Sequence, residues 1–143
     1  MRDRVVSCGM LLAAAVLIGV STDACEVATA PPGAASLAPP PDFAEWWAEV
    51  EQCSGRTGEF DRVAWYVAPC EMGQNGFPCD VTPNGLCAGE WRAPHTIVLG
   101  GPNRFVPDGY AEDEWTVKHE MLHDLLGTPE HPVQFENCHL ALR

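Results

Sequence analysis

Residues 112–126 read as a helix with apolar side chains on nearly every face, and the same helix carries His119, Glu120 and His123. Trp115, Leu122 and Leu126 flank the two histidines, while Met121 and Leu125 cover much of the opposite side. A helix with no broad polar face runs through the interior of a domain rather than over its surface. Two imidazoles and a carboxylate buried there without partners would cost several kcal/mol, so the fold has to give them something to bind. His119 and His123 stand four residues apart and therefore on one helical face, where both can reach a single metal ion. The acidic run Glu112-Asp113-Glu114 lies where it complements the positive end of the helix dipole.

Zinc accepts neutral imidazole nitrogen, and three protein ligands leave a fourth position for a water, which Glu120 can deprotonate. After His123 the chain runs three residues to Gly127 and three more to His131, which Pro132 follows at once. Gly127 supplies the left-handed residue that ends the helix, and Pro129 keeps it from restarting. His131 is then the candidate third ligand, with Glu130, Glu136 and His139 as alternatives on the next turn or two of irregular chain. Twelve residues follow His131, which leaves little room for a second ligand-bearing helix.

In these residues the chain resembles the zincin metallopeptidases, and more loosely their metzincin branch. That branch has two residues on each side of the glycine and a later methionine turn. Here there are three on each side and no methionine follows, so the resemblance covers the active-site helix, about twenty residues, and names no subfamily. It implies a Zn2+ ion held by His119, His123 and His131, with Glu120 as general base on zinc-bound water and a peptide or protein as substrate. The implied fold is α+β, a minimal zincin-like domain. Two other readings use the same residues. One is a non-catalytic zinc-binding lipoprotein, and the other is a disulfide-stapled envelope protein whose histidines bind nothing.

The start of the chain bears on location. Arg2 and Arg4 precede an apolar run over residues 5–20, too short for a convincing membrane span and suited to an export signal over 1–24. Thr22-Asp23-Ala24 then places small residues before Cys25, as in bacterial lipoproteins, and the Ala- and Pro-rich stretch 25–41 suits a spacer behind a lipid anchor. Ordinary secretion, with cleavage near Ala28-Thr29-Ala30, is the competing reading. Either way the protein is expected to be exported, in the cell envelope or outside the cell, and to meet a membrane only through such an anchor.

Residues 42–143 form the domain, small enough that burial alone leaves a thin stability margin. Its five cysteines, none in a C-x-x-C pair, read as a disulfide framework in an oxidising compartment. Cys79 and Cys87 flank a Pro-Asn-Gly turn signal and can close a short loop. Cys53 with Cys138 would pin both ends of the domain, leaving Cys70 over. Periodicity gives a helix over 42–53 with Asp42 as N-cap, strands over 60–67 and 96–99, and irregular chain over 69–93. The 96–99 strand is the candidate edge for a peptide to pair with. His95 reads as a solvated or capping residue, and Trp91 and Trp115 as core or cleft wall.

Eight basic and twenty acidic residues give a net charge of −12, and removing 1–24 takes two of each, leaving it unchanged. Such a surface repels nucleic acid and anionic membrane. A monomer is expected.

Overall fold

The computed structural model describes residues 30–71 and 73–142. Helix α1 (Pro41–Ser54) starts with proline in its first turn, where the missing N–H donor costs nothing, and ends at Gly55 in the left-handed conformation, φ 67°. Asp42 sits inside that first turn; the cap position is Pro40, without a side-chain hydrogen bond, which corrects the expected N-cap. The helix buries Phe43, Trp47 and Val50, the face its periodicity predicts.

The expected strand over 60–67 divides. Phe60–Arg62 is a 3-10 turn, and strand β2 runs Ala64–Ala68. Before it, strand β1 (Ala35–Ser36) pairs antiparallel with β2, so part of the stretch read as spacer joins the sheet. The region expected to be irregular also holds regular structure. Strands β3 (Phe77–Pro78) and β4 (Leu86–Cys87) form a two-stranded ribbon, and β5 (Gly89–Arg92) enters the main sheet. Glycine and proline hide these strands from a propensity reading, because tertiary pairing rather than local preference makes them.

Strand β6 (Thr96–Gly100) lies between β2, its parallel partner, and β5, its antiparallel one. All five of its residues are buried, the mark of a strand covered on both faces. The expectation that it borders the cleft as an edge is therefore corrected: the order is β1-β2-β6-β5, and the edge on the site's side is β5.

One face of the sheet presents Trp65, Ile97 and Leu99 to α1 and to helix α2 (Glu114–Leu126), which contributes Val117, Met121 and Leu122. A short helix α3 (Val133–Asn137) adds Phe135, fully buried. Each such side chain taken from water is worth about 1.5–3 kcal/mol. On the other face Ala68 and Val98 meet Phe77 and the Cys79–Cys87 pair. The domain is thus α+β with a small sheet. Two disulfides staple it: Cys53–Cys138 joins the end of α1 to the C-terminal segment, Cys79–Cys87 closes the loop between β3 and β4, and Cys70 keeps a free thiol.

These disulfides fit an oxidising, exported environment. Among the described residues no helix is long and apolar enough to cross a membrane. The expected export signal over 1–24 and the candidate lipidation residue Cys25 lie outside the described residues.

Candidate metal centre

Helix α2 begins where Asp113 accepts a hydrogen bond from the Thr116 N–H, a side-chain cap that fixes its first turn. It ends at Gly127, φ 64°, whose N–H returns to the His123 carbonyl at 2.8 Å. The chain reverses through Thr128 and Pro129 and delivers His131 back to the helix. The Nε2 atoms of His123 and His131 lie 3.2 and 3.1 Å from Nε2 of His119. Among the described residues these three form the one group of potential ligands able to hold a metal ion. Glu130, Glu136 and His139 are not part of it. Phe135 packs against all three imidazoles, with ring centroids 4.6–4.9 Å away, and nothing in the sequence periodicity singled it out.

The ring orientations follow from the opposite nitrogens. Nδ1 of His119 lies 2.8 Å from the Leu140 carbonyl, and Nδ1 of His123 lies 2.8 Å from the Thr128 carbonyl. A carbonyl accepts only, so each Nδ1 carries the hydrogen and each Nε2 presents a lone pair. Two lone pairs 3.2 Å apart repel unless a proton or a cation lies between them. A proton is disfavoured, because burial lowers both imidazoles to a pKa of about 4, against the smaller opposing effect of their carbonyl contacts. The three nitrogens therefore fit a cation. The Nδ1 contacts are of the kind that orients metal-binding histidines.

Glu120 lies one residue from His119 on the buried stretch and is 6% exposed. Burial raises its pKa to about 8, opposed by a hydrogen bond from the Trp91 backbone. Its side chain packs on the bare backbone of Gly89: a Cβ there would stand 2.8 Å from Glu120 Cγ and 2.9 Å from Oε1. Strand β5 thus makes room for the carboxylate at one residue and holds it at another.

A second carboxylate went unrecognised in the sequence. Asp124, next to His123 and 2% exposed, accepts from Arg62 Nη2 at 2.8 Å and Nε at 3.2 Å, and from Trp91 Nε1 at 3.1 Å. His95 Nδ1 lies 3.1 Å from the same group, so His95 is anchored in a network rather than being only solvated. The missed signal was an aspartate inside an otherwise apolar helix, since a buried carboxylate requires partners. Asp124 ties helix α2 to β5 and to the turn before β2.

Above the histidines opens a cleft of about 230 Å³ lined by Gly89, Glu90, Trp91, Trp115, Glu120 and the three imidazoles, among others. Trp115 stacks on His119 at 5.0 Å and Trp91 lies nearly parallel to His123 at 6.4 Å, so both tryptophans are cleft wall. The arrangement puts three nitrogen ligands and a carboxylate at one open surface. No protein-family model, curated protein or solved structure matches this chain.

Proposed function

We propose that this chain is a zinc-dependent peptidase that works outside the cytoplasm. The observation that carries the reading is the convergence of the His119, His123 and His131 Nε2 atoms beside Glu120 on the wall of an open cleft. His119, His123 and His131 would hold the metal. Zinc bound there would supply Lewis acidity, polarising a substrate carbonyl and making a water more acidic.

The chain's own residues do the rest. Glu120 accepts the proton of the attacking water: burial keeps its carboxyl protonated near neutral pH in the metal-free protein, and a cation held by the adjacent imidazoles would favour the ionised form that this role needs. The Trp91 backbone and the bare Gly89 keep that carboxylate in place. The outer edge of β5 offers main-chain groups along which an extended peptide can lie. Trp91 and Trp115 exclude water from the flanks of the histidines.

Elemental analysis after zinc loading should give about one zinc per chain, lost to a strong chelator with a fall in thermal stability. Glu120→Gln should keep zinc and fold while abolishing peptide hydrolysis, because an amide cannot take the proton. Undiminished cleavage by that variant removes Glu120 as the base, and a zinc-loaded wild type that cleaves no peptide in a broad library leaves only a binding protein. For location, we infer a lipid anchor on Cys25: wild type should partition with membranes and Cys25→Ser should be released or misprocessed. A mature N-terminus beyond Cys25 would rule the anchor out.

A further inference from the structure

The cleft over the histidine cluster is rimmed by apolar side chains from separate parts of the chain. Val81 and Leu86 come from the loop closed by the Cys79–Cys87 disulfide, and Leu142 comes from the C-terminal tail. Val81 is 65% and Leu142 68% exposed, two of the four large apolar residues so exposed among the described residues. A single exposed aliphatic group needs no explanation. Two on the rim of one cleft, beside two tryptophans, mark a surface built to be covered. The charged side chains lining the cleft, apart from the histidines, are the carboxylates of Glu90 and Glu120, and no lysine or arginine lines it. Glu90 is paired with Arg92 at 2.7 Å, so the selectivity lies with the rim: an acidic side chain seated against Val81 and Leu142 gives up hydration and gains no hydrogen bond from those aliphatic groups.

We propose that the 79–87 loop and the C-terminal tail form an apolar jaw. It selects peptide segments with a large apolar side chain beside the bond lying over the histidines, and it disfavours acidic ones. The inference rests on the peptidase reading of this site and deepens it by assigning the substrate class. Val81 on the loop and Leu142 on the tail are the specificity-determining residues. The loop is ordered in advance of any ligand: the disulfide closes it, Thr82 Oγ1 donates to the Leu86 carbonyl at 2.8 Å and accepts from the Leu86 N–H at 3.0 Å, and Cys79 N–H donates to the Gly85 carbonyl at 3.0 Å. A side chain closing against such a wall loses little conformational entropy from the protein's part.

The test uses five peptides identical except for one residue, set to Leu, Phe, Ala, Lys or Asp. Binding to zinc-loaded Glu120→Gln protein is read by tryptophan fluorescence, and cleavage by zinc-loaded wild type is read by mass spectrometry. The Leu and Phe peptides should bind at least about tenfold tighter than the Ala peptide, with Asp the weakest. Val81→Asp combined with Leu142→Asp should bring the Leu-to-Ala ratio toward unity with zinc content unchanged. The Cys79→Ser and Cys87→Ser pair should also lower the preference for Leu. Equal binding of all five peptides, binding of none, or a preference untouched by the Val81 and Leu142 substitutions overturns the jaw. Cleavage without side-chain preference overturns it too and leaves the peptidase reading intact. Preferential binding without any cleavage by wild type does the reverse.

Discussion

At the scale of single residues, the third histidine is the sharpest point of the site. His131 lies in a turn after a helix break, and its ring reaches His119 only because Gly127 takes a left-handed conformation and the next few residues fold back. Loss of one of three ligands should weaken zinc binding severely, whereas loss of a group that only orients a ligand costs about 10–100-fold. His131→Ala should accordingly lose zinc to a competing chelator as readily as His123→Ala does. Glu130→Ala, Glu136→Ala and His139→Ala should bind zinc close to wild type, since none of these side chains joins the cluster. A chelator titration across the five variants checks the order. Retention of zinc by His131→Ala would move the third ligand elsewhere.

At the scale of elements, what a sequence exposes depends on whether local chemistry or pairing makes the element. Helix α2 was legible because its apolar periodicity and its stop at Gly127 are local signals, although it starts at Glu114 rather than at 112, with Asp113 as its cap and Tyr110–Glu112 in a 3-10 turn. The two disulfides were legible from turn chemistry and from where helix α1 ends. Strand β5 was not, because Gly89-Glu90-Trp91-Arg92 carries no alternating pattern and becomes a strand only by pairing with β6. Missing β5 also hid the Asp124 network, whose partners come from three separate places in the chain. That network makes its own prediction. Asp124→Ala removes the shared carboxylate of Arg62 and Trp91, leaving the indole N–H unpartnered and a half-buried guanidinium with the residue 124 backbone carbonyl at 3.3 Å but no anion, and should destabilise the fold by about 3 kcal/mol. Urea unfolding of the zinc-free variant reads this as a lower midpoint. An unchanged midpoint would mean that the carboxylate does not brace β5 against α2.

At the scale of the whole molecule, three buried titratable groups in one centre give the metal-free protein a stability that peaks within the accessible pH range. His119 and His123 go from an ordinary value of 6.5 in the unfolded chain to about 4 when folded, and Glu120 goes from 4.5 to about 8, burial being the main cause for all three. Stability falls with rising pH wherever the folded state binds more protons, and falls with decreasing pH wherever the unfolded state binds more. Between about pH 6.5 and 8 the histidines are neutral in both states, while Glu120 keeps its proton only when folded, so stability declines as pH rises. Between about pH 4.5 and 6.5 the unfolded chain takes up two histidine protons that the folded one refuses, against the single proton that folded Glu120 retains. The net proton favours the unfolded state, and stability declines as pH drops. Thermal melts of chelator-treated protein from pH 5 to 8 should therefore show a maximum near pH 6.5. Glu120→Gln should flatten the alkaline decline while keeping the acid one, since only the carboxylate titrates above the histidines. A melting temperature that climbs steadily to pH 8 in wild type would show that Glu120 is ionised in the folded protein even without a metal, and that burial does not hold its proton.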